Sequence, residues 1–209
     1  MDSIVINGGK ELKGSVLISG AKNAVLPMMA ASLLADGVTT ISNVPDLRDT
    51  RTMASLIEVT GAQVQLDYPN ISIDSSTVHT LEAPYELVKT MRASFYVLGP
   101  ILGRFGKAKI SLPGGCAWGP RPVDFHLKAL EKMGASIRLK EGYVLAEAPR
   151  LRGSSIRFDF PSVGATGNIL MAAVTASGIT KIKNAAMEPE IEQLCTMLNM
   201  MGAQIEGVG

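Results

Sequence analysis

Cys116 is the residue best placed for chemistry. It lies in Leu112-Pro113-Gly114-Gly115-Cys116-Ala117-Trp118-Gly119-Pro120-Arg121-Pro122, a Gly- and Pro-rich stretch that holds the chain's only Trp. Glycines free the backbone there, and prolines stiffen its exit. A loop thiol near Arg121 gains thiolate character and can serve as nucleophile or acid; the plainer alternative is a thiol that only packs. Cys195, among Leu and Met of an amphipathic segment, reads as core. A second group of residues suits anions. Lys22 and Asn23, Arg92, and Ser162-Val163-Gly164-Ala165-Thr166 each stand at the start of an apolar helical segment. Helix starts offer unpaired N–H groups and partial positive charge, and Lys22 and Arg92 add formal charge. A phosphate or carboxylate site and ordinary helix capping both fit that pattern. Arg121-Pro122-Val123-Asp124 opens a further helix, where Asp124 complements the dipole and His126 reads as a surface or interhelix residue. No Cys/His spacing indicates zinc, no carboxylate repeat indicates calcium, and neither a nucleophile elbow nor a P-loop occurs.

The elements that must position these residues repeat three times. Gly-Ala follows an amphipathic segment at Gly61-Ala62, Gly134-Ala135 and Gly202-Ala203. In each case Gly falls where a helix C-cap requires positive φ. Short alternating stretches follow, at Gln63–Leu66, Ser136–Leu139 and Gln204–Glu206, and read as strands. Each unit opens with a nearly all-apolar helix (24–35, 93–102, 169–176), a turn glycine (Gly37, Gly106, Gly178) and a strand. A helix apolar on every side must be buried on every side. The predicted fold class is therefore α/β, a threefold repeat of strand and helix units with buried central helices. A Rossmann sheet is excluded by the missing Gly-x-Gly-x-x-Gly. Turn glycine and Gly-Ala lie 24, 28 and 24 residues apart, so the middle unit carries four extra residues, and these fall in the Cys116 loop. Binding and catalytic residues concentrate on loops held by a rigid frame.

Composition agrees. The 209 residues are 46% hydrophobic and 5% aromatic, which supports an aliphatic core and excludes bulk disorder. Lys plus Arg number 20 against 19 Asp plus Glu, a net charge of +1 that argues against a nucleic-acid or membrane-surface binder. Two cysteines make no disulfide framework, and no signal peptide opens the chain, so a cytoplasmic protein is expected.

Ser111 to Asp124 closely resembles the Cys loop of the UDP-N-acetylglucosamine 1-carboxyvinyltransferases, a family of enolpyruvyl transferases. Gly20-Ala21-Lys22-Asn23-Ala24, Thr90-Met91-Arg92-Ala93-Ser94, Ser162–Thr166 and Asn184–Ile191 support the resemblance in the right order. The resemblance implies transfer of enolpyruvyl from phosphoenolpyruvate to the 3′-hydroxyl of UDP-N-acetylglucosamine, with phosphate release and no cofactor. This is the first committed step of peptidoglycan synthesis. It implies Cys116 as the acid that protonates the enol carbon and as the thiol that fosfomycin alkylates. It implies Lys22 and Asn23 against phosphoenolpyruvate, Arg92 as an active-site arginine that binds substrate, and Arg121, Pro122, Val123, Asp124, Phe125, Ser162 and Val163 around the nucleotide sugar. Tyr96 stands where many relatives have Trp, and Phe160 where they have Lys, so no charge role carries to Phe160.

Family members are about twice as long and have two such domains facing across a cleft. The resemblance assigns residues 1–21, with strands at Ser3–Ile6 and Ser15–Ile18, to the second domain, and residues 22–209 to a catalytic-loop domain of three repeats, about 22–90, 91–161 and 162–209. The opposing catalytic Asp would lie in the other half, so little turnover is expected of this chain alone. Two other readings fit the same residues: a shikimate-type enolpyruvyl transferase domain, and a non-catalytic module that binds nucleotide sugar or self-associates through its exposed cleft face.

Overall fold

The computed structural model describes residues 3–113 and 123–208. In chain order its helices are α1 (Lys22–Ala31), α2 (Arg48–Val59), the single turn α3 (Tyr85–Val88), α4 (Leu98–Phe105), α5 (Asp124–Lys132), α6 (Val163–Ala173) and α7 (Pro189–Met200). A 3-10 turn, Ser32–Leu34, extends α1, and another, Arg92–Val97, leads into α4. The strands are β1 (Val38–Ile41), β2 (Gln63–Asp67), β3 (Asn70–Asp74), β4 (Glu82–Ala83), β5 (Lys107–Ser111), β6 (Ser136–Lys140), β7 (Tyr143–Glu147), β8 (Ser155–Arg157) and β9 (Lys181–Lys183).

The apolar segments become the inner helices: α1 and α6 have no polar face, while residues 93–97 form the 3-10 turn and α4 carries one cation, Arg104, in its last turn. Met29, Leu33, Leu98, Ile101 and Met171 are fully buried there or sealed to within a trace. The amphipathic segments become the outer helices α2, α5 and α7, each with one buried stripe. Gly61, Gly134 and Gly202 adopt φ of 96°, 95° and 102°, so all three Gly-Ala pairs end a helix in the same left-handed turn. Inner helices α4 and α6 approach closely because Gly99 has no side chain. A Cβ at Gly99 would lie 2.3 Å from the Asn168 carbonyl oxygen.

The strands form three small sheets around the helices, in the orders β1-β3-β2, β4-β5-β7-β6 and β8-β9. In the first two units the expected strand after Gly-Ala turns back as an antiparallel hairpin, β2–β3 and β6–β7. The return strand inserts beside the unit's first strand, with Val38 opposite Asp74 and Lys107 opposite Glu147. β4 and β8 run parallel to β5 and β9. Gln204–Glu206, expected as a strand, is not one. The Asn199 side chain takes its hydrogen bonds instead: Oδ1 accepts from the Ile205 N–H at 2.8 Å and Nδ2 donates to the Ile205 carbonyl at 3.0 Å. The expected strands at Ser3–Ile6 and Ser15–Ile18 are likewise not formed, and no sheet edge pairs with them among the described residues. Ile4 is 90% exposed and Leu17 fully exposed. No helix of the described residues is long and apolar enough to cross a membrane.

Candidate functional site

Inner helices α1 and α6, and the 3-10 turn before α4, point their starts at one cleft of about 600 Å³. That volume lies within the range of small-molecule sites. Lys22 and Asn23 reach it from the first turn of α1, Arg92 from the start of the 3-10 turn before α4, and Ser162 and Val163 from the start of α6. Residues some 70 positions apart in sequence thus meet because the units repeat around the buried helices. Val123, ahead of α5, and Pro113, after β5, also line the cleft. These are the described residues on either side of the Cys116 loop; Cys116, Arg121 and Pro122 lie outside the described residues.

Two expected site residues at the start of α5, Asp124 and Phe125, make contacts of their own there. Asp124 Oδ2 pairs with Lys128 Nζ one turn along α5 at 3.1 Å, and its Oδ1 is buried without a partner among the described residues. Phe125 packs against Phe158 and Phe160, ring centroids 6.0 and 4.7 Å away. Phe160 therefore closes an aromatic cluster beside α5. Neither Asp124 nor Phe125 is among the residues lining the cleft.

Two carboxylates, Asp49 and Glu190, balance the two cations of the described lining, Lys22 and Arg92. Lys22 Nζ pairs with Asp49 Oδ2 at 2.9 Å, both side chains partly exposed. Such a pair is worth about 0–1 kcal/mol, weak enough for an incoming phosphate to displace. Glu190 also lines the cleft. Asp49 and Glu190 look like ordinary first-turn acids in sequence; the packing of α2 and α7 against α1 turns them to the cleft. Tyr96 also lines it, its hydroxyl pushed up by burial and by Glu190 and Glu188, so it stays protonated.

At the start of α6, Ser162 Oγ accepts from the Ala165 N–H at 3.3 Å, an ordinary N-cap that coexists with its place in the cleft. His126 is the lining residue that sequence reasoning undervalued. It is buried between α5 and α6, not on the surface, and its imidazole is pulled down to about 3 by burial and by Arg92, opposed by Asp124. It is therefore neutral at physiological pH. Cys195, by contrast, is the core thiol its sequence context indicates, with burial pushing its pKa up. Among the described residues no cluster of His, Cys, Asp and Glu is arranged to hold a metal ion. The described lining of the cleft thus offers two cations, two carboxylates, an amide, a neutral imidazole and two helix starts, of which the cations, the amide and the helix starts suit an anionic ligand.

Comparisons with known proteins agree with this architecture. The sequence profile of the EPSP synthase (3-phosphoshikimate 1-carboxyvinyltransferase) family matches residues 6–209. Proteins named UDP-N-acetylglucosamine 1-carboxyvinyltransferase from Chlorobaculum parvum and Desulfosudis oleivorans are each 55% identical to this chain over its whole length, and in each the match covers 50% of the relative. The chain therefore spans about half the length of the curated relatives it matches. Among solved structures, the enolpyruvyl transferase NikO from Streptomyces tendae superposes with a TM-score of 0.83 at 26% identity, covering 97% of this chain and 48% of NikO. EPSP synthase from Acinetobacter baumannii shares the fold, with a TM-score of 0.73 at 19% identity over 97% of this chain and 46% of its own. With its buried helices, its threefold pattern and a profile match across nearly all its length, this chain belongs to the EPSP synthase family of enolpyruvyl transferases.

Proposed function

We propose that this chain is the catalytic-loop half of a UDP-N-acetylglucosamine 1-carboxyvinyltransferase that acts in the cytoplasm at the first committed step of peptidoglycan synthesis. One observation carries the reading: Lys22, Asn23, Arg92, Ser162 and Val163 line a single cleft flanked by the two ends of the Cys116 loop. The 55% identity to proteins bearing that name supports it over the shikimate-type reading, since the Acinetobacter EPSP synthase shares 19%.

In this reading phosphoenolpyruvate lies against Lys22 and Asn23, and the nucleotide sugar along Arg92, Arg121–Phe125 and Ser162–Val163. The 3′-hydroxyl oxygen bonds to C2 of phosphoenolpyruvate while Cys116 gives a proton to C3, forming a tetrahedral phospho-ketal. The Cys116 thiolate then takes a proton back from C3 as the C2–O bond to the phosphate breaks, which releases phosphate and leaves the enol ether. The cations hold the charge that gathers on the phosphate as it departs. The hydroxyl proton goes to a carboxylate of the second half, to which residues 1–21 also belong. The chain alone is expected to release phosphate only at background.

Calorimetric titration tests the assignment. UDP-N-acetylglucosamine should bind this chain, and Arg92→Ala should weaken binding about tenfold or more. Mixed with the second half of the Chlorobaculum parvum relative, the chain should release phosphate from phosphoenolpyruvate, and Cys116→Ser should abolish that release. Binding of shikimate 3-phosphate in place of the nucleotide sugar would overturn the reading.

A further inference from the structure

His126 lies where α5 packs on α6, and its ring meets Phe95 edge-on at a centroid distance of 5.1 Å. Its Nδ1 is 3.0 Å from Asn168 Nδ2. The other bonds of Asn168 decide which atom donates. Asn168 Oδ1 accepts from the Gly99 N–H at 2.6 Å, and Nδ2 donates to the Phe95 carbonyl at 2.9 Å. A flipped amide would set its NH₂ against the Gly99 N–H and its oxygen against the Phe95 carbonyl, so a single orientation satisfies the network. Nδ2 carries two hydrogens. The one not taken by Phe95 is donated to His126 Nδ1, which must therefore present its lone pair. In a neutral imidazole the remaining proton then sits on Nε2. A proton added at Nδ1 would face the NH₂ donor, a cost beyond burial and the nearby Arg92. Nε2 itself faces Gly164: a Cβ at that position would lie 3.4 Å from Nε2 and from Cε1. His126 and Gly164 both line the cleft, with Lys22, Asp49, Arg92 and Glu190 as its charged neighbours.

We propose that Asn168 is a positioning residue that holds His126 as its Nε2–H tautomer, so that the imidazole offers the cleft a fixed, uncharged N–H donor at the start of α6 for an acceptor oxygen of the bound anion. The tautomer assignment follows from the fold alone, whereas the ligand role rests on the reading of the cleft given above. His126 then orients substrate without exchanging a proton, unlike a catalytic acid or base. Asn168 couples that donor to the α4–α6 contact through Gly99, so the inner helix packing sets the direction of the N–H bond. Gly164 keeps the space in front of Nε2 clear.

Long-range ¹H–¹⁵N correlation spectra of the histidine-labelled chain read the tautomer directly. The chain has two histidines, so His79→Gln assigns the signals. His126 should show the Nε2–H pattern from about pH 8 to about pH 5. An Nδ1–H pattern, an exchanging mixture or an imidazolium in that range would overturn the assignment. Asn168→Asp should move the proton to Nδ1, where a carboxylate accepts it, and weaken UDP-N-acetylglucosamine binding about tenfold. If that variant does not fold, the unmodified chain's spectrum decides the tautomer by itself. Saturating UDP-N-acetylglucosamine should shift the Nε2–H proton downfield. Binding without that shift overturns the ligand role, and no binding at all overturns the reading of the cleft while the free chain still reports the tautomer.

Discussion

A histidine buried as a neutral donor makes stability depend on pH. The His126 imidazole is held at about 3 in the folded chain, against about 6.5 when exposed in the unfolded chain. Between those values the unfolded state binds the extra proton, so acid favours unfolding. The stability from this residue is fully present above the unfolded value and is lost as pH falls from about 6.5 toward about 3. Urea denaturation at about pH 7.5 and about pH 4.5 should differ by about 2–3 kcal/mol more for the native chain than for His126→Gln. An equal pH dependence in the two proteins would contradict the burial of a neutral ring. Sequence alone left His126 a surface or interhelix residue, because nothing in Asp124-Phe125-His126-Leu127 reveals an asparagine 42 positions later. Lys22 and Asn23 were legible for the opposite reason: a cation at the start of an apolar helix is a local signal.

Glycine has two different tasks at the scale of helices and strands. Gly134 ends α5 with φ of 95° and has nothing within 4 Å of the place a Cβ would take. Gly134→Ala should cost about 1 kcal/mol, the backbone penalty alone. Gly99 has no left-handed backbone, yet its Cβ would overlap the Asn168 carbonyl. Gly99→Ala should cost about 3 kcal/mol, because α4 must move off α6 and the bond to Asn168 Oδ1 stretches. Urea midpoints of the two variants check the order, and equal losses would show that α4 has room to shift. The first task is legible in sequence, because Gly-Ala recurs after three amphipathic segments. The second is not, since close approach involves a partner far along the chain. Hairpin return strands β3 and β7 were also missed, although Asn70-Ile71-Ser72-Ile73-Asp74 alternates as a strand should.

The three units of the whole molecule are unequal at their sheet edges. β5 has a parallel neighbour, β4, and an antiparallel one, β7. Among the described residues β1 lacks the parallel neighbour, β9 lacks the antiparallel one, and the apolar side chains of residues 4–6 and 16–18 stand in solvent. Open edges and clustered apolar side chains favour pairing with another chain. Under the two-half proposal that partner is the second half of the enzyme. Amides of β1, β9 and residues 3–18 should exchange rapidly in this chain and become protected when the second half of the Chlorobaculum parvum relative is added. Protection that rises with the concentration of this chain alone would instead mark self-association. Hydrogen-exchange mass spectrometry, run beside size-exclusion measurement of mass, separates the two.

The sequence by itself determined the units. Apolar periodicity decides which helices are buried, and positive-φ glycines decide where they stop, both through interactions spanning a few residues. It also marked the Cys116 loop, because four inserted residues stand out against a repeat. Only the tertiary structure decided what surrounds the cleft: Asp49 against Lys22, Glu190 in the same lining, and the Asn168 amide beside His126. Those relations depend on the angles at which helices from different units pack, and such angles are set by side chains meeting across the core, which no local pattern encodes.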